Sequence, residues 1–312
     1  MINKLSTFVS PLLTNISLAY RNEEYIAEKI LPIVPVIKDT AQIATYGMDN
    51  LRIEESLRAQ GSGANEVNHT LSLGAHYILQ DHALKEFVTK EEEDNADKPI
   101  TPRIDATENL TDRMQVIKEK ELADSMANTG VVTQNVTLSG TDQWSDFDNS
   151  DPFADIKLAM ETVRTGSVML PNTFVMSYAV MMTLITHPAF LDRLPNVAVI
   201  TADGVMQALR LAFPNIKNIY VGSALYNSGK EGGTSALADI WGKHFWVMYV
   251  SDKPRLKSRS FGFTYQAPGQ NRQVKVLAYD EDKEGRFVRV NDKYDQKLVD
   301  NTCAYLIKNC IA

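Results

Sequence analysis

Between Trp144 and Leu194 the apolar positions change period in a fixed order. Phe153, Ile156, Met160 and Val163 recur at helical spacing behind Asp151, a good N-cap, and Pro152, which suits the first helical position. Gly166 is expected to close this helix in the left-handed conformation. Thr173 to Met176 then forms a short apolar run after Pro171-Asn172, the pattern of a buried strand. Ser177 is placed to cap a second helix carrying Val180, Met181, Leu184 and Ile185. That helix must stop near His187 because Pro188 follows, and Pro188 to Leu194 fits one more short helix.

Upstream, the pattern is thinner. Residues 1–30 mix apolar and polar positions, with a short helix expected over Asn22 to Ile30. Pro32 and Pro35 force Leu31 to Val36 to be extended, either as a first strand or as an arm around a neighbouring copy. Residues 38–78 read as a hairpin with flanks Thr40 to Ile53 and Asn68 to Leu79 and a soft tip around Gly61-Ser62-Gly63. It is an ordinary surface hairpin or one that leaves the body and is covered by another chain. Asp81 to Val88 is expected as a short helix, and Glu91 to Asp94, followed by Pro99 and Pro102, as a loop. The longest expected helix spans residues 107–129, with a narrow stripe of Leu110, Met114, Ile117, Leu122 and Met126 and a stop at Gly130. It would be roughly 33 Å long and lie on a surface. Val131 to Ser139 alternates as a strand does.

Downstream, Thr201 to Phe213 is a helix (Val205, Ala208, Leu209, Ala212) ended by Pro214, and Asn218 to Val221 a strand. A soft loop, Asn227 to Ser235, precedes a strong strand over Ile240 to Val250. The C-terminal third is β throughout: Phe261 to Tyr265, Val274 to Tyr279, Phe287 to Val290 and Leu298 to Ile307, with a turn at Asp282 to Gly285.

Composition narrows the possibilities. At 312 residues the chain is two domains, or one domain with extensions. The net charge of −7 disfavours a dedicated nucleic-acid binder. No apolar run reaches the roughly 18 residues of a membrane span, and the N-terminus lacks the pattern of a signal peptide. Cys303 and Cys310 are too few for a disulfide framework and read as buried, reduced thiols of a cytosolic protein.

The search for chemistry finds little. Gly222 to Lys230 (GSALYNSGK) has six residues between its outer glycines and Glu231 after the lysine, so it is not a phosphate-binding loop. His69, His76, His82, His187 and His244 show no metal-ligand spacing, and the carboxylates at Asp280 to Asp282 sit in a turn. No cofactor is implied. Lys253, Arg255, Lys257 and Arg259 occupy every second position, which puts them on one side of an extended segment. That run is a solvated loop, a contact for nucleic-acid phosphates, or the complement of Glu91, Glu92, Glu93 and Asp94 on another copy. Together with Arg52, Glu54, Glu55 and Arg58 at the hairpin tip, these are the candidate inter-subunit contacts.

The stretches YRNEEYIAEKILPIVPV (Tyr20 to Val36), SDPFADIKLAMETVRTG following Trp144 (to Gly166), LPNTFVMSYAVMMTLITHPAFLDRL (Leu170 to Leu194) and IWGKHFWVMYV (Ile240 to Val250) appear in an order that resembles tailed-bacteriophage major capsid proteins, whose fold is named after phage Hong Kong 97. The resemblance implies an α+β fold. Residues 1–37 would be an N-terminal arm and 38–78 an extended loop lying over a neighbouring subunit. Residues 79–143 and 255–312 would form a peripheral domain with a spine helix at 107–129, and 144–254 a mixed α/β axial domain. It further implies pentamers and hexamers in an icosahedral shell around double-stranded DNA, touched non-specifically by an acidic chain, and assembly in the bacterial cytoplasm without a membrane. A portal, a possible decoration protein and, because no cleavable segment precedes the arm, a separate scaffolding protein would be partners. The alternatives are an encapsulin-type compartment shell with the same fold and an α/β enzyme, the latter opposed by the missing catalytic constellation.

Overall fold

Three apolar strands from distant parts of the chain form the centre. The computed structural model describes residues 8–9, 13, 25–46, 52–54, 56–58, 60–61, 63–67, 71–96, 100–192, 201–230, 232, 234, 236–253 and 259–312. Its elements are β1 (Phe8–Val9), α1 (Ala27–Ile30), β2 (Ile33–Pro35), β3 (Thr40–Tyr46), β4 (Leu71–Ile78), β5 (Gln80–Thr89), α2 (Lys90–Asn95), α3 (Pro102–Ala127), β6 (Asn135–Thr137), α4 (Pro152–Ser167), β7 (Thr173–Ser177), α5 (Tyr178–Thr186), α6 (Pro188–Leu191), α7 (Ala202–Ala212) and β8 (Asn218–Gly222). Then follow β9 (Leu225–Asn227), β10 (Leu237–Asp239), β11 (Phe245–Met248), β12 (Gly262–Gln266), β13 (Gln273–Val276), β14 (Gly285–Leu298) and β15 (Ala304–Lys308).

A five-stranded mixed sheet runs β6-β15-β11-β7-β8. Its inner strands are buried on both faces, which is why they read as unbroken apolar runs. Phe174, Met176, Phe245, Val247, Tyr305 and Ile307 face one way, against Phe153, Ile156 and Val163 of α4, Val180 and Leu184 of α5 and Leu209 of α7. Val175, Trp246, Met248 and Leu306 face the other way, against Ile30, Leu31, Trp241 and the C-terminal half of α3. Each fully buried large side chain here contributes about 1.5–3 kcal/mol. The indole N–H groups are satisfied: Trp144 donates to Asp155 Oδ2 at 2.8 Å, Trp246 to the Met126 carbonyl at 3.0 Å and Trp241 to Glu119 Oε1 at 2.7 Å.

A six-stranded sheet lies along α3. Its path is β1-β13-β14-β12-β2, and β5 pairs with β14 over ten residue pairs from Gly285↔Thr89 to Tyr294↔Gln80. The first half of α3 packs Ala106, Leu110 and Met114 against Val88, Val274, Val288 and Val290. The β3–β4 hairpin joins through Ile43 and Tyr77, which meet Val34, Phe263 and Tyr265. Its strands are antiparallel from Thr40↔Ile78 to Tyr46↔Leu71 with one irregularity between Ile43 and Thr45. The mixed sheet holds strands from both sides of the expected boundaries at 143/144 and 254/255, since β15 lies between β6 and β11.

The helix–strand–helix order from Asp151 to Leu191 is as the pattern predicts. Asp151 Oδ1 accepts from the Phe153 and Ala154 amides, and Ser177 Oγ from the Val180 amide. Other expectations are corrected. Gly166 does not end α4: the helix runs through it, and Val168 is the left-handed cap at φ 62°. Gly166 instead lies against the Gln134 side chain, where an added Cβ would stand 2.4 Å from Nε2 and push that amide aside. Asp81 to Val88 is strand, not helix. Its apolar residues have helical spacing, but the ladder to β14 satisfies the backbone and decides the state. Glu91 to Asp94 is not a loop but the body of α2, started by a capping box between Thr89 and Glu92.

The long helix begins at Pro102, where the missing N–H is harmless, and spans 26 residues, about 39 Å. It is less superficial than its apolar stripe implies, since Thr107, Thr111, Lys118 and Glu119 are buried while Ile117 is exposed. Of Ile240 to Val250 only Phe245–Met248 is strand. Gly242 turns the chain at φ 58°, which lets Ile240 and Trp241 tuck under the sheet. Val131 to Ser139 contributes only the three residues of β6. The segment from Phe287 to Ile307 is one long strand to Leu298, a 3-10 turn at Asn301–Cys303 and then β15. Ala212 is exposed. Most of residues 1–24, His69 and all of 193–200 lie outside the described residues.

Candidate assembly surfaces and the buried polar hub

The residues that hold the N-terminal segment on the body converge on one turn of α3. Glu119, 1% exposed, accepts from the Ile26 amide at 3.0 Å, the Ala27 amide at 2.7 Å and the Trp241 indole at 2.7 Å. Its carboxylate therefore caps α1, whose own N-cap supplies no side chain. Burial pushes the Glu119 carboxyl up, and the two amides and the indole oppose that rise. One residue earlier on α3, Lys118 Nζ lies 3.0 Å from Glu28 Oε1, 3.9 Å from Asp292 Oδ2 and 4.5 Å from the centre of the Tyr294 ring. Arg272 reaches Glu28 Oε1 at 2.8 Å, and Gln266 donates to Asp292 Oδ1 at 2.9 Å. Burial alone would raise Glu28, but Lys118 and Arg272 outweigh it and hold the carboxyl at about 2. The hub thus ties α1 to α3, β12 and β14 through partners 90 to 244 residues apart.

One pair invites a catalytic reading and fails it. His187 Nε2 is 3.1 Å from Ser150 Oγ, while His187 Nδ1 accepts from the Ala189 amide at 3.1 Å. A neutral imidazole whose Nδ1 accepts carries its proton on Nε2. That proton points at Ser150, whose hydroxyl donates to the Asp146 carbonyl at 2.6 Å. The imidazole has no lone pair facing the hydroxyl, so it cannot activate it. Burial lowers the His187 pKa despite nearby Asp151, and burial and Lys308 bring His244 to about 4. His244 Nδ1 likewise accepts, from the Asn309 amide at 3.2 Å. Among the described residues no group of three or more His, Cys, Asp or Glu could hold a metal ion. Cys303 and Cys310 are buried, with thiols pushed up chiefly by burial. Gly222, the first glycine of the rejected loop, is needed because a Cβ there would stand 2.0 Å from Trp241 Cδ1.

The candidate contact residues divide three ways. Arg52, Glu54 and Arg58 are exposed at the hairpin tip beside Ile53 and Leu57, which are 98% and 87% exposed. Glu91 and Asp94 are exposed on α2, whereas Glu92 closes the capping box and Glu93 pairs with Arg103, with Nη2 to Oε2 at 2.7 Å. Lys253 is exposed, but Arg259 is turned inward, donating to Asp300 Oδ2 at 2.9 Å and to the Ser167 carbonyl at 2.7 Å. Glu55, Arg255 and Lys257 lie outside the described residues. Sequence reasoning missed Glu119 and Lys118. They read as the polar face of a surface helix, and only the return of residues 26–28 and β14 makes them interior.

Residues 90–253, just over half of the chain, match the phage major capsid protein E family. The chain belongs to that family. The major capsid protein of Burkholderia phage BcepMu is 27% identical over 96% of this chain and 95% of its own length. That of Pseudomonas phage JBD67 is 28% identical, covering 97% of each. The crystal structure of a phage-related protein from Bordetella bronchiseptica RB50 superimposes with a TM-score of 0.76 at 25% identity over 98% of both chains. The capsid protein is therefore a structural component of the phage head, with the Hong Kong 97-type fold, and forms homo-oligomeric shells. The encapsulin reading gives way to the phage one, since the family and both relatives are phage capsid proteins.

Proposed function

We propose that the capsid protein builds a closed icosahedral shell from pentamers and hexamers around double-stranded DNA. The hairpin tip carries the reading: Ile53 and Leu57 are 98% and 87% exposed, and covering them against a neighbouring copy would take their apolar surface out of water. Residues 38–78 act as the extended loop over a neighbouring subunit, residues 1–37 as the arm, α3 as the spine of the peripheral domain and residues 144–254 as the axial domain. The role is structural and not catalytic, as the capsid protein family implies. An acidic chain of net charge −7 meets packaged DNA without holding it in place. Assembly takes place in the host cytoplasm with a separate scaffolding protein, a portal and a decoration protein as further partners.

Electron microscopy of the purified chain, with or without its scaffolding partner, tests the reading. Wild-type protein is expected to form closed particles, and Ile53→Asp with Leu57→Asp to give soluble subunits or open fragments. Normal particles from that double variant would remove the extended-loop assignment.

A further inference from the structure

The face of the six-stranded sheet turned away from α3 carries an unbalanced charge. Val88, Val274, Val288 and Val290 pack towards α3, so the residues between them point the other way. There Lys85 of β5, Arg289 of β14 and Lys275 of β13 stand directly opposite one another on three adjacent strands. Like charges so placed repel, since cross-strand neighbours are only about 4.5–5.5 Å apart. Among the described residues none of the three has a carboxylate partner, and Arg289 Nε is buried without a hydrogen bond. The acids further along this side are engaged: Asp81 accepts from Asn291, and Asp39 pairs with Lys293. In the next row Phe87 and Phe287 pack at 4.7 Å, with Lys85 Nζ 4.4 Å from the centre of the Phe287 ring. A row of cations that burdens the subunit with repulsion is completed by an anion from outside it.

The same ribbon ends in the complementary charge. The turn before Gly285 sets four carboxylates, Asp280, Glu281, Asp282 and Glu284, against one ammonium, Lys283. Glu281, Asp282 and Glu284 are exposed, while Lys283 Nζ reaches back to 5.9 Å from the centre of the Phe287 ring. β14 begins at Gly285, four residues before Arg289, so the turn lies about 14 Å from the cation row. That spacing selects the occupant. It exceeds the screening length of about 8 Å, so turn and row do not neutralise each other within one copy. A DNA duplex laid over the row would also run past the carboxylates and be repelled by them. A second copy related by a two-fold axis sets its turn on the row of the first and receives the first copy's turn on its own row, so the contact forms twice. We propose that the Glu281–Glu284 turn of one copy docks on the Lys85–Arg289–Lys275 row of another. This rests on the shell reading above and adds one specific contact to it.

The test treats particles of the full-length chain, grown from mixed light and heavy-isotope subunits, with a carbodiimide, which joins an amine to a carboxylate only where the two touch. Peptide mass spectrometry is expected to find Lys85 or Lys275 joined to Glu281, Asp282 or Glu284 of another copy. K85E/K275E and E281K/D282K each raise the threshold concentration for assembly about tenfold, read by light scattering, with subunit folding by circular dichroism unchanged. Combining the four substitutions recovers assembly. Wild-type particles without that cross-link, or thresholds unmoved in both variants, would overturn the contact. Impaired single-side variants without recovery in the combination would overturn the pairing of turn with row. Normal assembly of K85E/K275E with weakened binding of duplex DNA would give the row to phosphate and remove the second copy from it. Wild-type protein that forms no particles would overturn the shell reading itself, and this contact with it.

Discussion

The two faces of α3 lead to regions stabilised by opposite means. Beyond its C-terminal half lies the mixed sheet, whose inner strands bury Phe174, Phe245, Trp246 and Leu306 with no ionised side chain among them. Along its middle lies the hub, where Lys118, Glu119, Glu28, Asp292 and Arg272 meet. The sheet is specified by volume and shape, and it tolerates little loss of either. The hub is specified by completeness: each charge is tolerable only while its partners are present. The difference suits their places. The sheet joins segments that must never separate, while the hub fastens α1, where the N-terminal segment meets the body, with contacts that fail together when one partner is lost.

The contrast breaks most sharply by truncation. Phe245→Ala is expected to destabilise by about 3–5 kcal/mol, because the sheet cannot collapse onto a cavity bounded by Trp144 and Phe174. Glu119→Ala should lose about 3 kcal/mol through two orphaned amides and an indole, and Glu119→Gln distinctly less. Urea denaturation of the subunit measures both. If Glu119→Ala proved neutral, the hub would be ornament and not fastening.

Acid should separate the two regions next, with a smaller effect. His187 and His244 have folded pKa values below the ordinary 6.5, so their neutral forms favour folding above that pH. That stabilisation is lost as pH falls through 6.5 towards about 4, the folded value of His244. Glu28, held at about 2, contributes stability above its ordinary 4.5 and loses it only below that pH. Burial raises Glu119 and Asp292, which makes them easier to protonate as the medium acidifies. Between pH 6.5 and 4.5 the loss should therefore come from the sheet region, and His244→Asn should flatten the slope. An unaltered slope in that variant would assign the acid sensitivity elsewhere.

How much of this could be read from the sequence follows from how local each cause is. The caps at Asp151 and Ser177, the buried run Thr173–Met176 and the proline stop at Pro188 are decided within a few residues, and all were legible. The capping box of Thr89 and Glu92 was also local, but a run of acids disguised it as solvent-exposed loop. The strand at Gln80–Thr89 was not legible, because Leu84, Phe87 and Val88 have helical spacing and only a partner two hundred residues away selects the ladder. The hub was hidden for the same reason: a helical wheel of α3 places Lys118 and Glu119 correctly as polar, yet holds no record of what returns to cover them. The corner at Val168 was missed because Gly166 looked like the better cap, whereas the helix runs on through it.

The placement of β15 has a consequence for how the protein is made. Ala304–Lys308 runs between β6 and β11, so the middle of the sheet is synthesised after every other strand in it. While the ribosome is still translating, the edge of β11 that β15 will cover stays open. The chain becomes a subunit only once that strand has emerged from the exit tunnel. A polypeptide interrupted earlier offers no finished surface to its neighbours. Synthesis thereby sorts complete chains from broken ones before any shell begins to grow.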